Sequence, residues 1–220
     1  MSADLRLYAL IDPQHAGGRD LAELAFLLAQ GGATLVQLRD KVGSTHAMVE
    51  TARAIRSRLE PLGVPFLVND RADVAFAAGA DGVHLGQDDM AVADARRLLG
   101  PHAVIGLSVK TLEQAAHAPI EHLDYVCIGG VFATASKDNP DPPIGLAGLR
   151  KIFATMRARD ADLPIGAIAG IDAGNAGSVI AAGADGIAVI SALSLAPDPQ
   201  AAARDLRAIV EAALAERQAA

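Results

Sequence analysis

Gly79-Ala-Asp-Gly-Val-His-Leu85 and Gly183-Ala-Asp-Gly-Ile-Ala-Val189 follow one pattern: a glycine that ends a helix, a polar turn, and an apolar run of strand length. Gly32-Ala-Thr-Leu-Val-Gln-Leu38 resembles both. Each leading glycine can take the positive φ with which helices commonly end. The same helix-stop, turn and strand unit thus recurs near the start, in the middle and near the end of the chain.

Working outward from these units, apolar runs predict strands at residues 7–11, 35–38, 65–68, 82–85, 104–107, 124–131, 165–169 and 186–190. Between them, helical spacing predicts helices from about residue 20, over 45–59, 72–79, 91–99, 111–116, about 147–159 and 173–182, with a last one from 198 to about 217. The helix over 45–59 has Ala47, Val49, Ala52, Ile55 and Leu59 as its approximate apolar face. Eight strands, each followed by a helix and with no break in composition, predict one α/β domain over 1–220, a closed (β/α)8 (TIM) barrel. An open doubly wound sheet is the lesser alternative.

The chain is 51% apolar with a formal charge of −7, and it has no Trp and only 3% aromatics. These values argue against a nucleic-acid surface, which would need basic patches and stacking rings. The one cysteine, Cys127, lies in the apolar run Tyr125-Val-Cys-Ile128 and reads as a small buried hydrophobe. No apolar run reaches the length of a membrane span, and the first residues lack a signal-peptide pattern, so the expectation is a soluble cytoplasmic protein. Composition leaves open whether it forms a homo-oligomer.

Strand C-termini share one face of a barrel, and the site lies there. Leu67-Val-Asn-Asp-Arg71 and Leu85-Gly-Gln-Asp-Asp89 each leave a strand in carboxylates, so Asp70 and Asp89 can face one pocket. Carboxylates this close repel unless a cation lies between them, and Mg2+ is commonly held by one or two carboxylates, waters and substrate phosphates. The plainer alternative is that each caps a helix. Gln37, Arg39 and Lys41 alternate along the second strand and its exit and can point one way. With Lys137 they oppose three cationic side chains to the two carboxylates, as a metal-bound polyphosphate requires. Asn69, Ser108, Lys110, Thr134, Ser136, Gly170 and Ser191 lie at other strand exits, whereas the strand starts carry no comparable collection. The turns after strands seven and eight lead to helix N-termini and predict a second anion site built from backbone N–H groups. The polar loop over 132–143, the longest in the chain, reads as a lid. Of the histidines only His84 is in a strand, and it reads as a hydrogen-bonded barrel residue rather than a catalytic one.

Taken together, Gln37-Leu-Arg-Asp-Lys41, Val68-Asn-Asp-Arg-Ala-Asp73, residues 79–89, Ile105-Gly-Leu-Ser108 and Asp124-Tyr-Val126 with Lys137 resemble the thiamine phosphate synthase family in one register. The resemblance implies a transferase of thiamine biosynthesis on a (β/α)8 barrel, joining a hydroxymethylpyrimidine diphosphate to a thiazole phosphate with release of pyrophosphate. It implies that Gln37, Arg39, Lys41, Asn69, Ser108 and Lys137 hold the pyrimidine diphosphate, with Arg39, Lys41 and Lys137 catalytic, and that Asp70 and Asp89 hold Mg2+. Thr134, Ser136, Gly170, Ile190 and Ser191 would receive the thiazole phosphate. The chain departs from the family pattern after strand six, where Gly129-Gly130 stands for Gly-Pro and Ala133-Thr-Ala-Ser-Lys137 for Pro-Thr-x-Thr-Lys. It departs again after strand seven, where Ala169-Gly-Ile171 stands for Gly-Gly-Ile. Loss of the rigid positions predicts a freer loop before substrate binds. Rival readings are a thiazole phosphate tautomerase, which would not need Arg39, Lys41, Asp70 and Asp89 together, a thiamine phosphate sensor without turnover, and a phosphosugar isomerase.

Overall fold

The computed structural model describes residues 3–134 and 142–219. Strands β1 (Leu7–Ile11), β2 (Leu35–Leu38), β3 (Phe66–Asn69), β4 (Gly82–Leu85), β5 (Val104–Val109), β6 (Tyr125–Ile128), β7 (Ile165–Ile168) and β8 (Gly186–Val189) run parallel in sequence order, and β8 pairs with β1 to close the barrel. Helices α1 (Leu21–Gln30), α2 (Thr45–Leu59), α3 (Ala72–Ala78), α4 (Val92–Leu99), α5 (Leu112–His117), α6 (Gly145–Arg159), α7 (Ala176–Ala181), α8 (Ser191–Ser194) and α9 (Pro199–Ala219) complete the elements. Among the described residues no helix is long and apolar enough to cross a membrane.

The strands read as unbroken apolar runs because both their faces are covered. Outward residues pack under the helices, while Tyr8, Leu10, Leu35, Leu67, Tyr125 and Cys127 belong to a smaller buried cluster inside the barrel. Helix starts follow local chemistry: Asp20 accepts from Glu23 N at 2.8 Å and Ser44 from Ala47 N at 3.2 Å, and Thr111 with Gln114 forms a capping box. Gly32, Gly79 and Gly183 take φ of 107°, 68° and 120°, as the repeated pattern requires.

The repeat has a second meaning that the sequence did not disclose. Phe66 N donates to Asp81 Oδ2 at 2.8 Å, Ile105 N to Asp124 Oδ2 at 2.8 Å, and Ile165 N to Asp185 Oδ2 at 2.9 Å. Thr34 Oγ1 does the same for Leu7 N at 3.1 Å. The residue just before β2, β4, β6 and β8 therefore clasps the start of the preceding strand, satisfying N–H groups at the barrel floor. Arginines reinforce two of the clasps: Arg96 pairs with Asp124 at 2.6 Å, and Arg157 and Arg217 both meet Asp185. The strand starts thus carry their own polar set, contrary to expectation, with a structural purpose.

Smaller differences have local causes. The buried face of α2 uses Met48 in place of Ala47, which is exposed, with Val49 only half-buried. β5 runs two residues further than expected because Ser108 and Val109 pair with Cys127 and Ile128. β6 stops at Ile128, and α7 starts at Ala176 because the preceding residues form a turn pinned by Asn175. The short α8 after β8 was not anticipated.

Candidate active site

Gln37, Arg39, Asn69, Ser108, Thr134, Gly170, Ile190 and Ser191 line one cavity at the C-terminal mouth of the barrel. They come from the ends of β2, β3, β5 and β8 and from the loops after β2, β6 and β7, which only barrel closure brings together. Sequence reading gave no role to Lys110 or Tyr8, which also line the cavity, as does His84, a hydrogen-bonded barrel residue as expected. Lys110 was visible at its strand exit; the tyrosine looked like ordinary core.

Arg39 leaves β2 and donates to Asp12 Oδ2, whose carboxylate is almost wholly buried and also accepts from Gln14 N at 2.9 Å. The Asp12-Pro13 pair, legible only as a turn, thus also holds a cavity guanidinium in place. Lys41 departs from the expected alignment. Asp40 Oδ1 accepts from Val42 N at 2.9 Å and Gly43 N at 2.8 Å, bending the chain where Lys41 pairs with Asp70. Asp70 has φ 61°, and neither carboxylate caps a helix: the N-cap residues of α3 and α4 are Arg71 and Ala91. Asp89 Oδ2 accepts from Gly86 N at 2.7 Å. Burial raises the Asp70 carboxyl above its ordinary value, the Lys41 ammonium opposes this, and contact with the Asp89 carboxyl adds to the rise. The two carboxyls thus interact beside one ammonium, while Lys41, Asp70 and Asp89 are not among the residues that line the cavity.

On the opposite wall, Val131 N donates to Ile168 O at 3.2 Å and Phe132 N to Ala169 O at 3.1 Å, tying the loop after β6 to the end of β7. A Cβ on Gly170, at φ 64°, would lie 2.4 Å from Ala133 O, so this approach needs glycine. Asn175 Nδ2 donates to Gly170 O at 2.8 Å and fixes the turn. Ser191 begins α8, where the first N–H groups have no intrahelical acceptor. The two ends of the loop after β6 are joined by Ile144 N to Gly130 O and Gly145 N to Val131 O, both 2.9 Å. Ser136 and Lys137, with most of the loop expected to be a lid, lie outside the described residues.

Two of the departures from the family pattern have a backbone signature. Gly130 takes φ 74°, which proline cannot adopt. Ala169 takes φ 91°, a conformation that costs a residue with a Cβ on the order of 1–3 kcal/mol. Ala169→Gly is expected to raise Tm by about 2–4 °C, read by calorimetry, since about 1 kcal/mol shifts a chain of this size by that much. An unchanged or lower Tm would show that the strain is relieved elsewhere.

Cys127 is buried, and burial pushes its thiol up to about 12, so it behaves as a hydrophobe.

A family model described as thiamine monophosphate synthase matches residues 7–193. The chain is 52% identical over 215 residues to a thiamine-phosphate synthase of Agrobacterium fabrum, covering 98% of each. It is 48% identical over 208 residues to one of Albidiferax ferrireducens, covering 94% of this chain and 93% of the relative. Among solved structures, a thiamine phosphate pyrophosphorylase from Pyrococcus furiosus superposes with TM-score 0.83 at 39% identity, covering 96% of this chain and 98% of that one. With the match extending from β1 into α8, the chain belongs to the thiamine monophosphate synthase family.

Proposed function

We propose that the protein condenses 4-amino-2-methyl-5-hydroxymethylpyrimidine diphosphate with hydroxyethylthiazole phosphate, giving thiamine phosphate and pyrophosphate. The observation that carries this reading is the single cavity with two unlike ends. Gln37, Arg39, Asn69 and Ser108 line one side, with Lys41, Asp70 and Asp89 assigned to its rim; Thr134, Gly170, Ile190 and Ser191 line the other. The first set suits a diphosphate on a polar heterocycle, and the second a monophosphate. Lys137 and Ser136 join these sets by position in the motif.

The pair Asp70 and Asp89 fits a divalent cation, because two touching carboxylates gain from a shared positive charge and Mg2+ needs no more protein ligands than that. When bound, Mg2+ supplies positive charge against the diphosphate oxygens. The reaction is a dissociative substitution: the C–O bond to pyrophosphate breaks, the electron-rich aminopyrimidine stabilises the methylene cation, and the thiazole nitrogen donates its pair to form the C–N bond. No protein nucleophile is needed. Arg39, held by Asp12, and Lys41 neutralise charge on the departing pyrophosphate. Gly170 and Ser191 receive the thiazole phosphate and place its ring.

The test is pyrophosphate release from purified protein given both organic substrates, with and without Mg2+. Release that needs both substrates and the ion, matched by thiamine phosphate, is expected. Absence of release with everything present would reject the synthase reading and leave a tautomerase or sensor.

A further inference from the structure

Inside the barrel, along the wall of the cavity, polar side chains form one continuous line. Gln37 Nε2 donates to Tyr8 Oη; Tyr8 Oη and Tyr125 Oη are 2.8 Å apart; Tyr125 Oη and His84 Nδ1 are 2.8 Å apart; His84 Nε2 and Ser108 Oγ are 2.9 Å apart. The line crosses from β2 through β1, β6 and β4 to β5.

Its hydrogens can be counted from one end. Tyr8 oxygen accepts from Gln37, so the Tyr8 hydrogen goes to Tyr125. The Tyr125 hydrogen then goes to His84 Nδ1, and a ring nitrogen accepts only when it carries no proton. The hydrogen of the neutral ring is left on Nε2 and goes to Ser108 Oγ. The Ser108 hydroxyl, having accepted, keeps its own hydrogen to give. At the other end, Gln37 Oε1 is buried and has no hydrogen-bond partner among the described residues.

We propose that this line is a one-way relay that holds His84 as the Nε2–H tautomer, so that Ser108 keeps a hydroxyl hydrogen to give to the cavity. Tyr125 and His84 are then positioning residues, acting through Ser108. That donor matches a heterocycle with a ring-nitrogen acceptor, as an aminopyrimidine has; the inference rests on the reading proposed above.

Packing makes the relay stiff. The Tyr8 and Tyr125 rings meet edge to face at 5.8 Å, and the His84 and Tyr125 rings stack at 5.5 Å. Burial pushes both phenols above their ordinary range, so both keep their hydrogens. Gly106, in register with His84 on β4 and Tyr125 on β6, is glycine for a reason: a Cβ there would sit 2.0 Å from Tyr125 Cζ and 2.4 Å from its Oη. Only glycine on β5 lets the Tyr125 ring cross to His84. In the opposite polarity His84 would carry its hydrogen on Nδ1 and Ser108 would donate to His84, leaving the Ser108 hydroxyl no hydrogen to give to the cavity.

Long-range 1H–15N spectra of histidine-labelled protein decide between the two polarities, with His84 assigned by its loss in His84→Gln. The expected result is a neutral His84 protonated at Nε2 in the wild type. In Tyr125→Phe that preference is lost, and KM for the pyrimidine diphosphate rises about tenfold while KM for the thiazole phosphate changes less than twofold. An Nδ1–H or doubly protonated wild-type ring overturns the relay even if Tyr125→Phe does not fold, as does a folded Tyr125→Phe with unchanged tautomer and KM. If wild-type protein makes no thiamine phosphate, the proposed reaction fails instead, and the wild-type spectrum still decides the relay's polarity.

Discussion

Asp70→Asn is expected to lower turnover by roughly two orders of magnitude, and Lys41→Ala by a similar factor, with the fold intact in both. A well-placed group acting on charge that develops in the transition state is worth about 3–4 kcal/mol, and each 1.36 kcal/mol is tenfold in rate. Asn is the cleaner replacement at Asp70, whose φ of 61° lies in a region Asn tolerates and Ala does not. The substitution removes one of the two interacting carboxyls, together with the partner of Lys41. The Lys41 side chain is exposed and its one ion pair is with Asp70, so its loss should cost about 1 kcal/mol of stability or less. Steady-state pyrophosphate release with saturating substrates, beside thermal melts of the same samples, checks both. Wild-type turnover in a folded variant would remove that residue from the mechanism.

The second large effect is on stability and comes from the opposite end of the barrel. A Cβ at Gly82 would lie 1.8 Å from Val104 O, and one at Gly186 would lie 1.6 Å from Leu5 O. Both obstacles are backbone, so no side chain can swing away. Relief requires moving β4 from β5, or β8 from the segment entering β1, at the same level where the Asp81 and Asp185 clasps hold. Overpacking of a core commonly costs about 1–3 kcal/mol and backbone collision falls at or above the top of that range. Gly82→Ala and Gly186→Ala are therefore each expected to lose about 3 kcal/mol or more, a fall in Tm of about 6–12 °C for a chain of this size. By contrast, Gly63, at a surface helix end with open space around it, has no such obstacle. A Gly82→Ala melt within about 1 °C of wild type would mean that the strand pair yields more easily than its geometry implies.

Much of the barrel was legible because its signals are local. Helix caps at Asp20, Ser44 and Thr111 act within three residues, and the strands announce themselves as apolar runs covered on both faces. The strand ends that carry Gln37, Asn69, Asp70 and Ser108 were legible for the same reason: polar residues following an apolar run mark the exit. The resemblance added roles to those positions, and the cavity gathers those of them that the structure describes, apart from Lys41, Asp70 and Asp89, which are assigned to its rim.

Other parts were hidden because their partners are distant in sequence. The Asp in Gly79-Ala-Asp-Gly82 reads as a turn residue, yet its carboxylate serves Phe66, and that of Asp124 serves Ile105. Asp12 reads as a turn and holds Arg39. Tyr8 and Tyr125 look like single core residues and His84 like a hydrogen-bonded one with no partner named; joined, they form the polar line along the cavity wall.

The sequence by itself determined the class of fold, the order of strands and helices, and which strand ends carry charge, since propensity, capping and apolar spacing act over a few residues. Only the tertiary structure decided which carboxylates meet, why Gly82, Gly106 and Gly186 must be glycine, and which hydrogen bonds orient the wall of the site. Those depend on closing the barrel, which brings β8 against β1 and sets side chains more than a hundred residues apart, such as Tyr8 and Tyr125, within hydrogen-bond reach.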